Sequence, residues 1–347
     1  MKKQVLLLSV LLCWTWTQAQ SLYVRLPLES PASQVMQRVG LTDVNVVYHS
    51  PSVKGRVIWG DLVPYNEVWR AGANENTTIS FSTDVEVNGK RLPRGIYGLH
   101  MIPGETEWVI IFSNNSSSWG SFFYRPAEDA LRLTVQPETI PICESLTYDF
   151  HNRTATSTGV QMRWEKKAVS FTVRIDPMQT VIPDIRNQLR SSASFTWQGW
   201  RDAADYCLQN NINLEEALYW IDESIDADEN FSNTIIKAQL LEKTGKQADA
   251  RKAFVKAMEL GSERELNRYG YRLLRANRIN EAIEVFTINV RHYPLSWDAL
   301  DSLGDAYAQA GQTKNAIDTY RKALRMAPED EKKHISSMLR ELEQKTK

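Results

Sequence analysis

Three cysteines in 347 residues are too few for a disulfide framework, and no pair has the Cys-x-x-Cys spacing used for zinc or thiol redox chemistry. An excess of one charge is also missing. With 41 basic residues against 42 acidic ones, no global field would hold a polyanion, so nucleic acid is not an expected partner. Beyond the first twenty residues no run is long and apolar enough to span a bilayer. A GxSxG elbow, a Walker loop and a dinucleotide fingerprint are all absent. The five histidines, His49, His100, His151, His292 and His334, lack the i, i+4 partners of a helical zinc site. Only an assembly across strands from His49, His100 and an acid would remain for zinc. No metal and no cofactor are expected.

What is present begins with an export signal. Lys2 and Lys3 precede the apolar run Val5 to Leu12, and Thr17-Gln18-Ala19 forms a small-x-small cleavage site. Residues 1–19 are therefore expected to be removed, with no transmembrane segment left afterwards and residues 20–32 forming an N-terminal extension. Cys143 and Cys207 then remain, in different domains and unpaired.

Residues 33–176 carry short β-type runs separated by turn chemistry. Val44–Tyr48, Thr77–Ser82, Tyr97–Ile102, Trp108–Phe112, Leu131–Val135, Leu146–Phe150, Val160–Trp164 and Val169–Ile175 read as strands. Asn88-Gly89 and Pro103-Gly104 mark tight turns, and the charged residues Arg163, Glu165, Lys166 and Lys167 are expected to split the last two runs into a hairpin. No helical stretch is long enough for a crossover, so the expected fold is an all-β antiparallel sandwich or jelly-roll-like domain with a tryptophan-rich core.

From residue 195 the period becomes helical and repeats every 34 residues. Gly270 aligns with Gly304, Ala282 with Ala316, Phe286 with Tyr320 and Pro294 with Pro328. That is the tetratricopeptide period, expected to build an all-α solenoid over residues 195–330. An earlier unit carries Ala238, Gly245, Ala250, Phe254 and Ala257, and a more diverged one Ala204, Ala217 and Ile221. Residues 331–347 read as a C-terminal capping helix. Residues 177–194, with two prolines and a serine-rich run, read as a linker.

The N-terminal region resembles a known family. Ser50-Pro51-Ser52-Val53-Lys54-Gly55-Arg56, Ile58-Trp59-Gly60, Val68-Trp69-Arg70-Ala71-Gly72-Ala73-Asn74-Glu75 and Pro93-Arg94-Gly95-Ile96-Tyr97-Gly98-Leu99-His100 are similar to the domain-of-unknown-function family 2911. The resemblance covers roughly residues 30–176. It implies an exported protein of the Gram-negative envelope, periplasmic or secreted, often with tetratricopeptide repeats after this domain. It implies no reaction and no ligand.

Within that block, Trp69, Arg70, Asn74 and Glu75 can set a guanidinium, an amide and a carboxylate beside an aromatic face, as sugar- and carboxylate-binding sites do. The alternative is a buried Arg70–Glu75 ion pair that only fixes the loop. Arg56 and Lys54 in a glycine-containing loop offer an anion site or a solvated loop. His100 completes the candidate set, and Trp119 follows a polar loop suited to a ligand rim. In the repeats, Arg264, Arg268, Arg272 and Arg275 form one helical stripe, while Asp298, Asp301 and Asp305 form another on the corresponding helix of the next unit. With Tyr271 these are candidate partner-binding residues. Either the two stripes neutralise each other in a salt-bridge ladder, or Arg268 and Arg275 enter the groove and clamp an acidic group. The functional expectation is a binding or assembly protein, its β domain holding a glycan, peptide or anion and its repeats a protein partner. The alternative is an exported hydrolase or other enzyme centred on Arg70, Asn74, Glu75 and His100.

Overall fold

The computed structural model describes residues 26–345. The expected signal at 1–19 lies outside them. The chain divides into two compact units, at Thr180/Val181, and each is described by itself.

The first unit holds ten strands: β1 Ala32–Val39, β2 Thr42–His49, β3 Thr78–Phe81, β4 Val85–Val87, β5 Lys90–Leu92, β6 Gly95–Ile102, β7 Trp108–Ser113, β8 Asp129–Val135, β9 Glu138–His151 and β10 Ser157–Arg174. They form two sheets, β1-β2-β3-β6-β7-β8 and β5-β4-β10-β9, in which neighbouring strands are antiparallel throughout. Alternation decides which side of each strand is inside. In β2, Thr42, Val44, Val46 and Tyr48 are buried and their neighbours are not. Inward residues of both sheets join one apolar core, and the Phe112 and Phe171 rings meet edge to face at 5.3 Å between β7 and β10. Asn88 and Gly89 both take positive φ, 48° and 78°, which is the geometry a two-residue β4–β5 turn demands.

Two features differ from expectation. The charged run at 163–167 does not end a strand: β10 continues through it for 18 residues. The register slips on either side of Glu165, whose φ is +54°. Trp164 continues the buried alternation of Val160 and Met162, and beyond the slips the buried positions change phase to Val169, Phe171 and Val173. β1 is an additional edge strand: its exposed side carries Ala32, Gln34, Met36 and Arg38 and its half-buried side Ser33, Val35 and Gln37, so neither side is purely apolar and the alternation is weak.

Four tryptophans meet at one end of this core. Trp59 stands 4.6 Å from Trp108 and 5.7 Å from both Trp69 and Trp164, edge to face in each case, while Trp69 stacks on Trp164 at 5.8 Å. Trp119 is not part of it and stays 54% exposed.

Helices fill the remainder. α1 spans Pro177–Gln188 and is followed by a 3-10 turn at Ser192–Phe195. The segment expected as a linker is thus largely helical, because Ile182 and Leu189 bury themselves in the first helical core with Ala204 and Ile221. Four consecutive helix pairs follow: α2 Trp197–Asn210 with α3 Leu214–Ala227, α4 Phe231–Lys243 with α5 Gln247–Leu260, α6 Glu263–Arg275 with α7 Ile279–His292, and α8 Trp297–Gln309 with α9 Thr313–Met326. α10, Glu329–Lys345, packs Ile335 into the last core. Gly270 lies against the Phe286 ring and Gly304 against the Tyr320 ring, so closely that a Cβ at either position would collide with the aromatic. This small-on-large contact is what the 34-residue period encodes.

Candidate functional site

The loop from β2 to β3 builds a cleft of about 350 Å³ on the β unit. Trp69 extends sheet contact by exchanging two backbone hydrogen bonds of 2.8 Å with Met101 on β6, and its indole N–H donates to the Gly72 carbonyl at 3.1 Å. Gly72 allows the chain to pass Thr77, since a Cβ there would lie 2.5 Å from the Thr77 hydroxyl. Ala71 is fully buried, with a φ of +51°, and its carbonyl accepts from Thr77 Oγ1 and Tyr148 Oη. These constraints fix the neighbouring Arg70 and Asn74.

Arg70 is half-buried. Its Nη1 donates to the Asn74 carbonyl at 2.7 Å, and its guanidinium lies 5.6 Å from the centre of the exposed Phe122 ring. Among the described residues it has no carboxylate within ion-pair distance, and burial pushes its pKa down. The expected Arg70–Glu75 pair does not form. Asn74 takes φ +55° and turns the chain, so Glu75 points to solvent, where its carboxylate stands 3.2 Å from His49 Nε2.

Arg56, Trp69, Arg70 and Asn74 line the cleft together with Lys54, Trp119 and Trp164; Glu75 and His100 do not. Arg56 is held by the Ser52 and Val53 carbonyls, and Lys54 Nζ lies 3.3 Å from Glu29. Three cations therefore face one acid, over a floor of stacked indoles. Among the described residues the buried Trp164 indole N–H has no acceptor. Trp164 reaches this cleft by the plain alternation of β10, two residues on from the buried Met162 and four from Val160.

His100 sits apart on β6, 2% exposed, with Nδ1 3.0 Å from Ser121 Oγ and its ring 5.4 Å from Tyr124. Burial lowers its pKa to about 4, with Arg70 adding to the shift and Asp129 opposing it. Asp129 accepts from Tyr124 Oη and pairs with Arg132. Ser121, Tyr124 and Asp129 had no motif to single them out. Among the described residues no group of three His, Cys, Asp or Glu is arranged to hold a metal ion.

In the repeats the two charged stripes do not neutralise each other. Arg264, Arg268, Arg272 and Arg275 are exposed, and Arg272 lies over the Tyr269 ring at 4.9 Å. The aspartates on α8 face different residues of α6, one helical step round from the arginines. Asp298 accepts from Asn267 at 3.0 Å, and Asp305 accepts from Tyr271 at 2.7 Å and from Tyr320 at 2.6 Å. The salt-bridge ladder is therefore absent at these positions. Cross-repeat ion pairing occurs elsewhere, through Arg278 to Glu242 and Arg251 to Glu284. No helix among the described residues is long and apolar enough to cross a membrane.

Comparison with known proteins bears on both units. Residues 30–173 match the family described as Protein of unknown function (DUF2911), and residues 270–331 match the Tetratricopeptide repeat family. The chain carries a DUF2911 domain followed by tetratricopeptide repeats. No curated protein matches it. Among solved structures, MamA residues 41 to the end from Desulfovibrio magneticus RS-1 is 21% identical, covering 45% of this chain and 97% of that one, with a TM-score of 0.25. PilF of Pseudomonas aeruginosa is 19% identical over 45% of this chain and 71% of its own, with a TM-score of 0.28. YrrB, described as a TPR protein with an unusual peptide-binding site, is 19% identical over 43% and 77%, with a TM-score of 0.25. TM-scores this low leave the functional reading to the chain's own residues.

Proposed function

We propose that this is an exported binding or assembly protein whose β domain, an open two-sheet sandwich, holds an anionic ligand with an apolar face, such as an acidic glycan or a peptide carboxylate. Its repeats recruit a protein partner. The observation that carries the ligand reading is Arg70, a half-buried guanidinium with no carboxylate within ion-pair distance among the described residues, in a cleft walled by Trp69, Trp119 and Trp164. A planar cation beside aromatic faces suits a carboxylate attached to a sugar or aliphatic body. Lys54 and Arg56 add charge of the same sign at the rim. Export rests on the basic and apolar pattern of residues 1–19 and carries a periplasmic or secreted location with it.

The test is calorimetric titration of the full chain with a trigalacturonate and with its neutral galactose counterpart. The acidic sugar should bind, the neutral one at least tenfold more weakly, and Arg70→Gln should lose at least tenfold for the acidic one only. Equal binding of both sugars, or an unaffected Arg70→Gln, would refute the anion reading. For the repeats, capture from an extract of the source cells should be lost when the chain ends at Asp176. That end point keeps all ten strands and removes α1, whose Ile182 and Ile185 pack into the first helical core.

The enzyme reading draws on the Ser121–His100 contact alone. Against it, His100 is buried with its pKa lowered to about 4, which makes it a weak base at neutral pH, and Glu75 lies outside the cleft.

A further inference from the structure

The aspartates on α8 occupy one face at spacings of three and four residues, with Asn267 and Tyr271 of α6 bonded to two of them and Glu331 and His334 of α10 acting on Asp301. Two of them have protein donors: Asn267 for Asp298, and both Tyr271 and Tyr320 for Asp305. Asp301, in the middle, has none among the described residues. It is 8% exposed, and its Oδ1 is buried without a hydrogen-bond partner. Asn267 Oδ1, one helix away, is a second buried acceptor with no donor. The groups that act on Asp301 electrostatically are Asp298 and Asp305 on its own helix, with Glu331 and His334 on α10. Among the described residues no lysine or arginine lies within ion-pair distance of any of the three aspartates.

A carboxylate is rarely taken out of water without a partner, because its desolvation is offset only by donors or by an opposite charge. Here three of the four neighbours, Asp298, Asp305 and Glu331, are acids that make matters worse, and His334 opposes them. What the face lacks is positive charge with several hydrogen-bond donors. A lysine ammonium or an arginine guanidinium supplies both, on a stem long enough to reach a nearly buried acceptor. The α8 face and the exposed arginine stripe on α6 differ in sign, so one surface would read charge pattern along a partner rather than net charge.

We propose that the α8 face receives a lysine or arginine side chain of a protein partner, with Asp301 as the acceptor. This rests on the reading that the repeats bind a protein, and it names the chemistry of that partner. Asp301 anchors the cation, while Asp298 and Asp305, already oriented by Asn267 and the two tyrosines, hold the surrounding field in place.

The test uses the full chain and two acetylated, amidated, fluorescein-labelled peptides, one with three lysines spaced by glycine and serine and one with glutamine at those positions. Anisotropy should show binding of the lysine peptide and at least tenfold weaker binding of the glutamine peptide. Asp301→Asn should lose at least tenfold for the lysine peptide, and Asp318→Asn, at an exposed position on α9, should not. Thermal unfolding guards the result, since Asp301→Asn keeps the shape of the side chain and should not lower Tm. Equal affinity of Asp301→Asn and wild type overturns the proposal, as does failure of the lysine peptide to bind at millimolar concentration. Stabilisation of wild type but not Asp301→Asn by calcium alone would make this a cation site and overturn it too. If extract capture depends on the helices yet survives Asp301→Asn, this inference fails and the broader partner reading stands. If capture does not depend on the helices, the broader reading fails.

Discussion

Tyr271 Oη on α6 donates to Asp305 Oδ2 on α8 at 2.7 Å, and the two residues are 34 positions apart, one repeat period. The bond joins the first helix of one repeat to the first helix of the next. Tyr320 on α9 completes the carboxylate from the other side at 2.6 Å. Burial and Asp305 together push both phenols well above the usual tyrosine range, so they stay donors at any physiological pH.

Replacing either donor leaves a partly buried carboxylate with half its partners. Tyr271→Phe and Tyr320→Phe should each destabilise the helical unit by roughly 1–3 kcal/mol. Because they share one acceptor, the double variant should depart from the sum of the two. Urea unfolding followed by far-UV circular dichroism measures this, and additive or negligible losses would count against a shared network.

Gly270 and Gly304 have a different sensitivity. A methyl group at either would press into Phe286 or Tyr320, both fully buried. Despite the better helix propensity of alanine, Gly270→Ala and Gly304→Ala should cost about 1–3 kcal/mol through overpacking. A stabilised Gly270→Ala would show that the two helices can move apart freely.

Asp301 gives a pH signature without any ligand. Burial and the charge of Asp305 raise its pKa to about 6, from a usual value of 3.8. Between those values the folded chain binds more protons at this site than the unfolded chain, so stability from Asp301 falls as pH rises from about 4 to 6 and stays low above. Asp301→Asn should therefore be more stable than wild type at pH 7, with the advantage gone by pH 4. Asp298, Asp305, Glu331 and His334 face Asp301 and are unchanged in the comparison. A constant offset across the range would mean that Asp301 is not the group responsible.

His100 predicts the opposite slope in the β unit. Its folded pKa of about 4 lies below the usual 6.5, so the unfolded chain takes up the proton first and stability is lost as pH falls from about 6.5 to 4. The groups facing it are Ser121, Tyr124, Asp129 and Arg70. His100→Gln should flatten that loss, which a pH series of thermal melts followed by tryptophan fluorescence would reveal. If the variant retains the wild-type slope, the acid sensitivity belongs elsewhere.

The sequence reveals packing that repeats or alternates. Gly270, Phe286, Gly304 and Tyr320 announce the helix pairs because one small-on-large arrangement recurs every 34 residues. Asn88-Gly89 announces its turn because few residue pairs adopt two successive positive φ values. Pairing between side chains is harder to read. Arg70 and Glu75 stand close in sequence, yet the positive φ of Asn74 sends them apart, and Glu75 meets His49 at the end of β2. The arginine and aspartate stripes were visible, but a rotation of one helical step decides whether they touch, and Asn267 and Tyr271 take the facing positions. β10 escaped detection as one strand because a bulge lets charge sit inside a buried run. The cleft was legible as a set of residue types; its floor of Trp69 on Trp164 joins a loop residue to a β10 residue 95 positions away, a pairing that no local pattern announces.

Cys207 closes the first helical core with none of its surface exposed, and burial raises its thiol pKa to about 12. Cys143, in the other unit, is only partly covered. A thiolate-directed reagent would thus mark Cys143 at once and reach Cys207 only when α2 and α3 part. Labelling kinetics at that single sulfur would clock the breathing of the array's first hairpin, with no probe added to the chain.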